Sequence, residues 1–388
     1  MRKVLPIGVD LGSCSAKLVQ LAVSGRSYEV VACAKAELPE MSGLTEEARQ
    51  QALVARVQSE LHEHKFRGND CISALLDREV HIKNIRVPCV REAASSAAAG
   101  GPAGGEEFDD LVRAEAKTKF PFDVEQAVLN YTIAGEVRHG EDARLEVILF
   151  AAPREAVEAH VGQLHQMGLV PASLDVQHCA MFRTFERYLR RKEDESEVNV
   201  YVDLGGTTKV IITRGRDILF IKNIDKGGLS FNEAVAARLN LSLGEARALR
   251  TRVGRETASA GGEEQAAEAG FDPQVRQAMF DAMRPELEEL AEEINKCLRY
   301  HSVTFRGARP ARLTFIGGET HDGNIPNILG ARLGIPVVIG QPFRGIDTAN
   351  LGPDIDRRGM LSEWTVAFGL SLKGAFVPGY GLGYRLAG

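Results

Sequence analysis

The sequence predicts an α/β protein built as two duplicated lobes, and three observations predict it. One short pattern occurs twice, nearly half a chain apart: Val9-Asp10-Leu11-Gly12-Ser13-Cys14-Ser15-Ala16-Lys17 and Val202-Asp203-Leu204-Gly205-Gly206-Thr207-Thr208-Lys209. Each copy opens a run of apolar strands that is followed by helical periodicity. The chain has 388 residues, too many for one hydrophobic core.

The elements follow in order. Strands are expected at 7–11, 16–23 and 28–35, the last after a Ser-Gly-Arg-Ser turn. Thr45 is placed to cap a helix whose apolar stripe is Leu53, Val54, Val57 and Leu61,. Strands at 71–76 and 81–87 precede a low-complexity stretch at 93–107. A helix at 108–119 stops at Phe120-Pro121-Phe122,. Strands at 127–134 and 145–151 and a helix at 154–167 close the first half, with Gly168 suited to its C-terminal cap. The second half opens with a helix near 176–192 and a charged linker. Strands at 198–204, 209–214 and 218–224 then flank the second loop. Helices at 230–239 and 242–253, a Gly/Ala/Glu-rich stretch at 258–270 and a long helix at 281–303 follow. The long helix carries Leu287, Leu290, Ile294 and Leu298 on one stripe,. A strand at 312–316, a helix near 324–333 and a short strand at 337–339 complete the reading.

Bulk properties exclude several classes. Hydrophobic content of 44% and charged content of 26% fit a globular chain,. A net charge of −6 argues against nonspecific nucleic-acid binding,. The six cysteines form no CxxC pair, which fits a reducing compartment and offers no metal site. The start has too short an apolar run for a signal peptide, and no run of about 18 apolar residues exists to cross a membrane.

The loops carry the chemistry. Each alone could be a hairpin with an Asx-type turn, but two matched copies suggest facing phosphate loops. Backbone amides of Gly12, Ser13, Cys14 and Ser15, and of Gly205, Gly206, Thr207 and Thr208, would line phosphate oxygens. Asp10 and Asp203 would hold Mg²⁺ through water. Lys17, and less directly Lys209, would add positive charge. Gly317, Gly318 and Glu319 follow a strand and enter a helix, where small residues let a base and ribose lie against the backbone. Arg247 and Arg250 are candidates for ribose or adenine contact. Asp175 and Gln177 are candidates for positioning an attacking water. Two related α/β lobes with a nucleotide between them is the architecture of the actin, Hsp70 and sugar-kinase class.

The words between the loops are more specific. EAKTKFPFDVEQAVLNY at 115–131, the 147–177 segment ending in SLDVQ, DKGGLSFNEAVAARLNLSLGEARALR at 225–250, FIGGE at 315–319 and VAFGLSLKGAF at 366–376 resemble the PilM family of actin-like proteins of type IV pilus assembly. The resemblance covers essentially the whole chain, with Cys14 standing where Ser or Thr is more usual. It implies an actin-like duplicated fold with an inserted small α+β subdomain. The first lobe would span 1–84, the insert 85–172, and the second lobe 173–376 with a helical subdomain at about 228–280. A tail at 377–388 would remain. It also implies binding of ATP or ADP with Mg²⁺, and capture of the cytoplasmic N-terminus of a PilN-like membrane protein. The groove would be bordered by His81, Ile85, Val87, Phe120 and Phe122. The protein would be cytoplasmic, held at the inner membrane through the PilN–PilO complex, without direct membrane insertion, and would link that complex to the motor. A small-molecule kinase would instead need an acceptor pocket, and an FtsA-like scaffold a C-terminal amphipathic helix. Neither motif is visible.

Overall fold

The computed structural model describes residues 2–25, 27–38, 45–89, 106–139, 142–259, 272–307, 309–352 and 355–375. The low-complexity stretch up to residue 105, the 260–270 stretch and the 377–388 tail lie outside the described residues.

Strands β1 (Lys3–Val4), β2 (Ile7–Leu11), β3 (Ser15–Ser24) and β4 (Ser27–Glu37) open the chain. Helix α1 (Glu46–Glu63) begins at Thr45, whose hydroxyl accepts from the Ala48 amide at 3.2 Å,. β5 (Asp70–Leu75) then runs parallel to β2. β6 (His81–Pro88), α2 (Glu106–Ala116), β7 (Ala127–His139) and β8 (Asp142–Pro153) form a separate antiparallel sheet in the order β6-β8-β7, with α2 packed on one face. α3 (Arg154–Gln166) leads into β9 (Val170–Val176), which returns parallel to β5. Gly168, at φ +82°, makes the turn after α3 in the left-handed conformation that glycine adopts most readily,.

After α4 (Gln177–Glu186) come β10 (Val198–Leu204), β11 (Thr208–Arg214) and β12 (Asp217–Ile224). Three helices follow: α5 (Gly228–Leu239), α6 (Leu243–Ser259) and α7 (Pro273–Phe305). The chain then runs through β13 (Leu313–Ile316), α8 (Asn324–Leu333), β14 (Val337–Ile339) and α9 (Thr365–Lys373).

The duplication extends to strand order and direction. One sheet runs β4-β3-β2-β5-β9, with β1 added beside β3; the other runs β12-β11-β10-β13-β14. In each, the first three strands pair antiparallel and the last two join in parallel. Parallel joins need crossover helices, and these cover the sheets. α1 and α3 bury Leu53, Val57 and Leu164 against one face of the first sheet, and α9 with the preceding Trp364 covers the other, burying Phe368 there. In the second lobe α5, α7 and α8 bury Phe231, Leu287, Leu290, Ile294 and Leu329. Each such side chain contributes roughly 1.5–3 kcal/mol. α4 fills the opposite face with Phe182 and Phe185, and the small sheet adds Ile148 and Phe150 to the same core.

Three elements differ from the sequence reading. Residues 170–176 form a strand that the reading does not include, so the expected boundary at 172/173 falls inside β9. Pro171 suits an edge strand, where a missing donor costs little,. α9 is buried on all sides and so has no amphipathic stripe to reveal it. It packs on the first sheet, although it falls in the stretch expected as the second lobe. The helix expected at 281–303 starts earlier, at Pro273, because Asp272 caps it by accepting from the Gln274 amide at 2.9 Å,.

Candidate functional site

Both Asp loops open onto one cleft of about 780 Å³ between the lobes, within the size range of small-ligand sites. The two hairpins share a register. Asp10 is the cross-strand partner of Lys17, and Asp203 that of Lys209. The Gly12 amide donates to the Ser15 carbonyl at 3.0 Å and the Gly205 amide to the Thr207 carbonyl at 3.1 Å, which closes each turn. The turns meet: a Cβ on Gly206 would lie 2.2 Å from Ser13 Oγ. Thr208 faces away from the cleft, its hydroxyl donating to the Lys226 carbonyl at 2.7 Å. Cys14 and Ser15 line the cleft with Gly12 and Ser13.

The charges are concentrated at the cleft floor. Asp10 and Asp203 are 7% and 8% exposed. Burial pushes the Asp10 carboxyl up to about 6, against the pull of Lys17 and Lys209,. Lys209 is buried. Its Nζ lies 2.9 Å from Asp77 Oδ2 and 3.4 Å from Asp203 Oδ2. Burial works against the Lys209 charge, yet Asp203 and Asp77 hold its pKa above the ordinary lysine value. Burial likewise works against the Asp77 charge, but Lys209, with His178 and Thr207, keeps the carboxyl below its usual range. Lys17 reaches Glu363 at 3.9 Å, while Lys35 holds the same carboxylate at 2.9 Å.

The third glycine signal adjoins the second loop. Gly317 has φ +92°, and a Cβ there would lie 2.4 Å from Asp203 Oδ1 and 2.5 Å from the Leu204 carbonyl. The strand runs on into a single 3-10 turn, Gly318–His321, rather than directly into the expected helix. Glu319 pairs with Arg250, whose Nη1 also donates to Asn232 Oδ1 at 2.6 Å. Arg250 is therefore a buried brace among α5, α6 and the glycine turn. Arg247 lies at the cleft rim and spans the lobes to Glu37 Oε2 at 3.1 Å.

Gln177 is buried and lines the cleft. Asp175 does not: its Oδ2 pairs with Arg183 at 2.9 Å and Lys373 at 3.5 Å, and its Oδ1 accepts from the Val176 amide. The expectation of water positioning is corrected there, because those cations turn the carboxylate away from the cleft. In the small subdomain, Ile85 and Val87 of β6 and Phe120 of the α2–β7 connection are core residues packed with α2, which corrects their expected place on a partner-facing surface. Half-buried His81 and Phe122 remain at the surface, ring centroids 4.9 Å apart.

Sequence reasoning missed Asp77, Arg49 and Glu363. Asp77 had a signal, being a third aspartate just past an apolar strand, after β5. Arg49 donates to the Ser13 carbonyl at 2.9 Å, and Glu363 joins Lys17 and Lys35 from over 300 residues away; no local pattern marks either.

Among the described residues no helix is long and apolar enough to cross a membrane. A family model described as type IV pilus assembly protein PilM matches residues 8–255. A solved structure, the "PilM-PilN type IV pilus biogenesis complex", is 26% identical, covering 96% of this chain and 99% of that one, with a TM-score of 0.74. Weaker likenesses are the ethanolamine utilization protein EutJ from Carboxydothermus hydrogenoformans and MreB5 of Spiroplasma citri bound to ADP. The first is 12% identical, covering 95% and 89% of the two chains, at TM-score 0.48. The second is 12% identical, covering 94% of each, at TM-score 0.41. With its actin-like two-lobe fold and a family match across most of its length, the chain belongs to the PilM family of type IV pilus assembly proteins.

Proposed function

We propose that this chain is a nucleotide-binding adaptor. It would bind ATP or ADP with Mg²⁺ in the cleft and the cytoplasmic N-terminus of a PilN-like protein on the small sheet. Through the PilN–PilO complex it would sit at the cytoplasmic face of the inner membrane and link that complex to the motor. The observation that carries the nucleotide reading is the shared register of the two Asp–Lys hairpins, whose turns touch at Ser13 and Gly206.

The residues fit such a ligand. The turns are made of small residues, so a phosphate can approach their amides other than those of Gly12 and Gly205, which close the turns,. Lys17 supplies a cation beside the first turn. Asp10 and Asp203 would hold Mg²⁺ through water, which suits an ion that keeps most of its hydration shell. Bound there, the ion would neutralise phosphate charge. The Gly317–Gly318 turn gives the ribose and base a flat floor, with Glu319 at its edge. Gln177 can orient a water but is not a base, so hydrolysis would be slow at most. In terms of lobes, we assign residues 1–80, β9 and α9 to the first, the inserted sheet (β6 from His81 onward) and α2 to the small subdomain, and most of the remainder to the second.

For the partner, β6 is an edge strand of the small sheet, a geometry that accepts an extended peptide by strand addition. The 26% identical structure is a complex with PilN, which supports a PilN-like protein as the occupant. The test is titration of the full chain, with Mg-ATP present, using a fluorescent peptide from the N-terminus of the PilN-like protein of the same organism. Saturable one-to-one binding that Phe122→Glu abolishes without unfolding supports the adaptor. Absence of binding refutes it. Loss of Mg-ATP binding in folded Asp203→Ala supports the cleft, and retained binding moves the site elsewhere.

A further inference from the structure

Asp77 has no part in that reading, yet it joins the two lobes. It belongs to the first-lobe turn just after β5, and it takes two groups of the second phosphate loop. Lys209 Nζ lies 2.9 Å from its Oδ2, and Thr207 Oγ1 donates to the same oxygen at 3.3 Å. The turn is closed on itself. The Glu79 amide donates to the Leu76 carbonyl at 2.9 Å, and the Leu76 amide donates to Glu79 Oε2 at 3.0 Å. Val80 separates this turn from β6 and is buried against Leu75 and Ala152. A displacement of Asp77 therefore moves a rigid turn that leads within four residues to His81.

Burial makes the pair asymmetric. The Lys209 side chain is 8% exposed and that of Asp77 25%. A buried ammonium cannot be left without an anion, whereas a carboxylate at the cleft wall recovers water at small cost. Lys209 also keeps Asp203, whose side chain is 11% exposed, so if a further anion competes for the ammonium, the more exposed Asp77 is the partner that lets go.

We infer that Asp77 and Lys209 form a nucleotide-state sensor. Without a terminal phosphate Lys209 holds Asp77 and pins the turn 76–79. With one, Lys209 turns to its oxygens, Asp77 is released into water, and the freed turn loosens the start of β6. This rests on the nucleotide-site reading above, and it supplies what coupling requires: an element whose contacts differ between two liganded states.

The test is hydrogen–deuterium exchange of the full chain with saturating Mg-ADP and with saturating Mg-AMP-PNP, in wild type and Asp77→Asn. Amides of 76–88 should exchange at least about five-fold faster with the triphosphate analogue in wild type, a coupling at the low end of those found between linked sites. In Asp77→Asn they should exchange fast with both, with less than about a two-fold difference. If both nucleotides bind and wild type shows no difference, the sensor fails while the site stands. A variant that keeps the wild-type difference also overturns it. If neither nucleotide binds, the site reading fails first and the sensor with it. Should Asp77→Asn not fold, the wild-type comparison alone decides.

Discussion

Ser13 and Gly206 come from opposite lobes, and a single Cβ on Gly206 would sit 2.2 Å from the Ser13 hydroxyl. The two turns thus meet with no room for a side chain on the second. Gly206→Val is expected to part the loops and weaken Mg-nucleotide binding by at least about ten-fold, a cost of about 1.4 kcal/mol. Removing the obstructing side chain should repair much of this. A double-mutant cycle with Ser13→Gly, read by nucleotide titration, should show a favourable coupling of roughly 0.5–3 kcal/mol. Strict additivity would mean that the contact is not what excludes the larger residue.

Gly317 is constrained twice, by φ +92° and by the Leu204 carbonyl and Asp203 carboxylate that a Cβ would strike. Gly317→Ala should destabilise the fold by roughly 2–4 kcal/mol, since backbone strain and a clash with fixed backbone add. Urea denaturation measures this. A loss below about 0.5 kcal/mol, the range of ordinary surface changes, would contradict the close packing of Gly317 on β10.

His160 is buried and its Nε2 lies 3.0 Å from Ser73 Oγ, which itself donates to the Val9 carbonyl at 2.9 Å. With that hydroxyl proton engaged, His160 Nε2 is the donor. Burial lowers the imidazole pKa from 6.5 to about 4. A histidine whose folded pKa lies below its unfolded value takes a proton more readily when unfolded. Its contribution is fully present above pH 6.5 and is lost as the pH falls towards 4. The loss amounts to roughly 3 kcal/mol at most, at about 1.4 kcal/mol per pH unit. His160→Gln should flatten the stability–pH curve in that window, as read by denaturant midpoints from pH 7 to 4. An unchanged slope would assign the acid sensitivity to other groups.

Glu146 on β8 is 1% exposed and is held by Arg86 Nε at 2.8 Å and by the Tyr300 hydroxyl of α7. The carboxylate therefore ties the small sheet to the second lobe. Tyr300→Phe leaves Arg86 in place and should cost about 1 kcal/mol. Arg86→Ala leaves a buried carboxylate without its cation and should cost more, roughly 2–4 kcal/mol. Equal losses, or the reverse order in thermal unfolding, would remove the charge pair as the main element of this tie.

Local pattern made much of the fold legible. Both Asp loops, the strands around them and the stripe of α7 follow from periods of two and 3.6 residues, which neighbours in sequence carry. The duplication was visible because both Asp–Lys hairpins turn on a short run of small residues. What pattern could not reveal were elements whose surroundings are uniform or distant. α9 is apolar all round, so no stripe marks it, and β9 is recognisable as a strand only beside β5. Ile85, Val87 and Phe120 are expected at the groove, but apolar residues serve groove and core alike, and the position of α2 makes them core.

The sequence by itself determined the two-lobe α/β plan, the family and the positions of the loop residues, since each is written in short stretches of chain. Tertiary structure alone decided which charges face one another. Asp77 meets Lys209 across more than 130 residues, Arg247 meets Glu37 across 210, and Asp175 is drawn from the cleft by Arg183 and Lys373. The physical reason is range. Secondary structure is set by neighbours along the chain, whereas ion pairing in a buried cleft is set by which carboxylate and which cation the closed fold leaves without water.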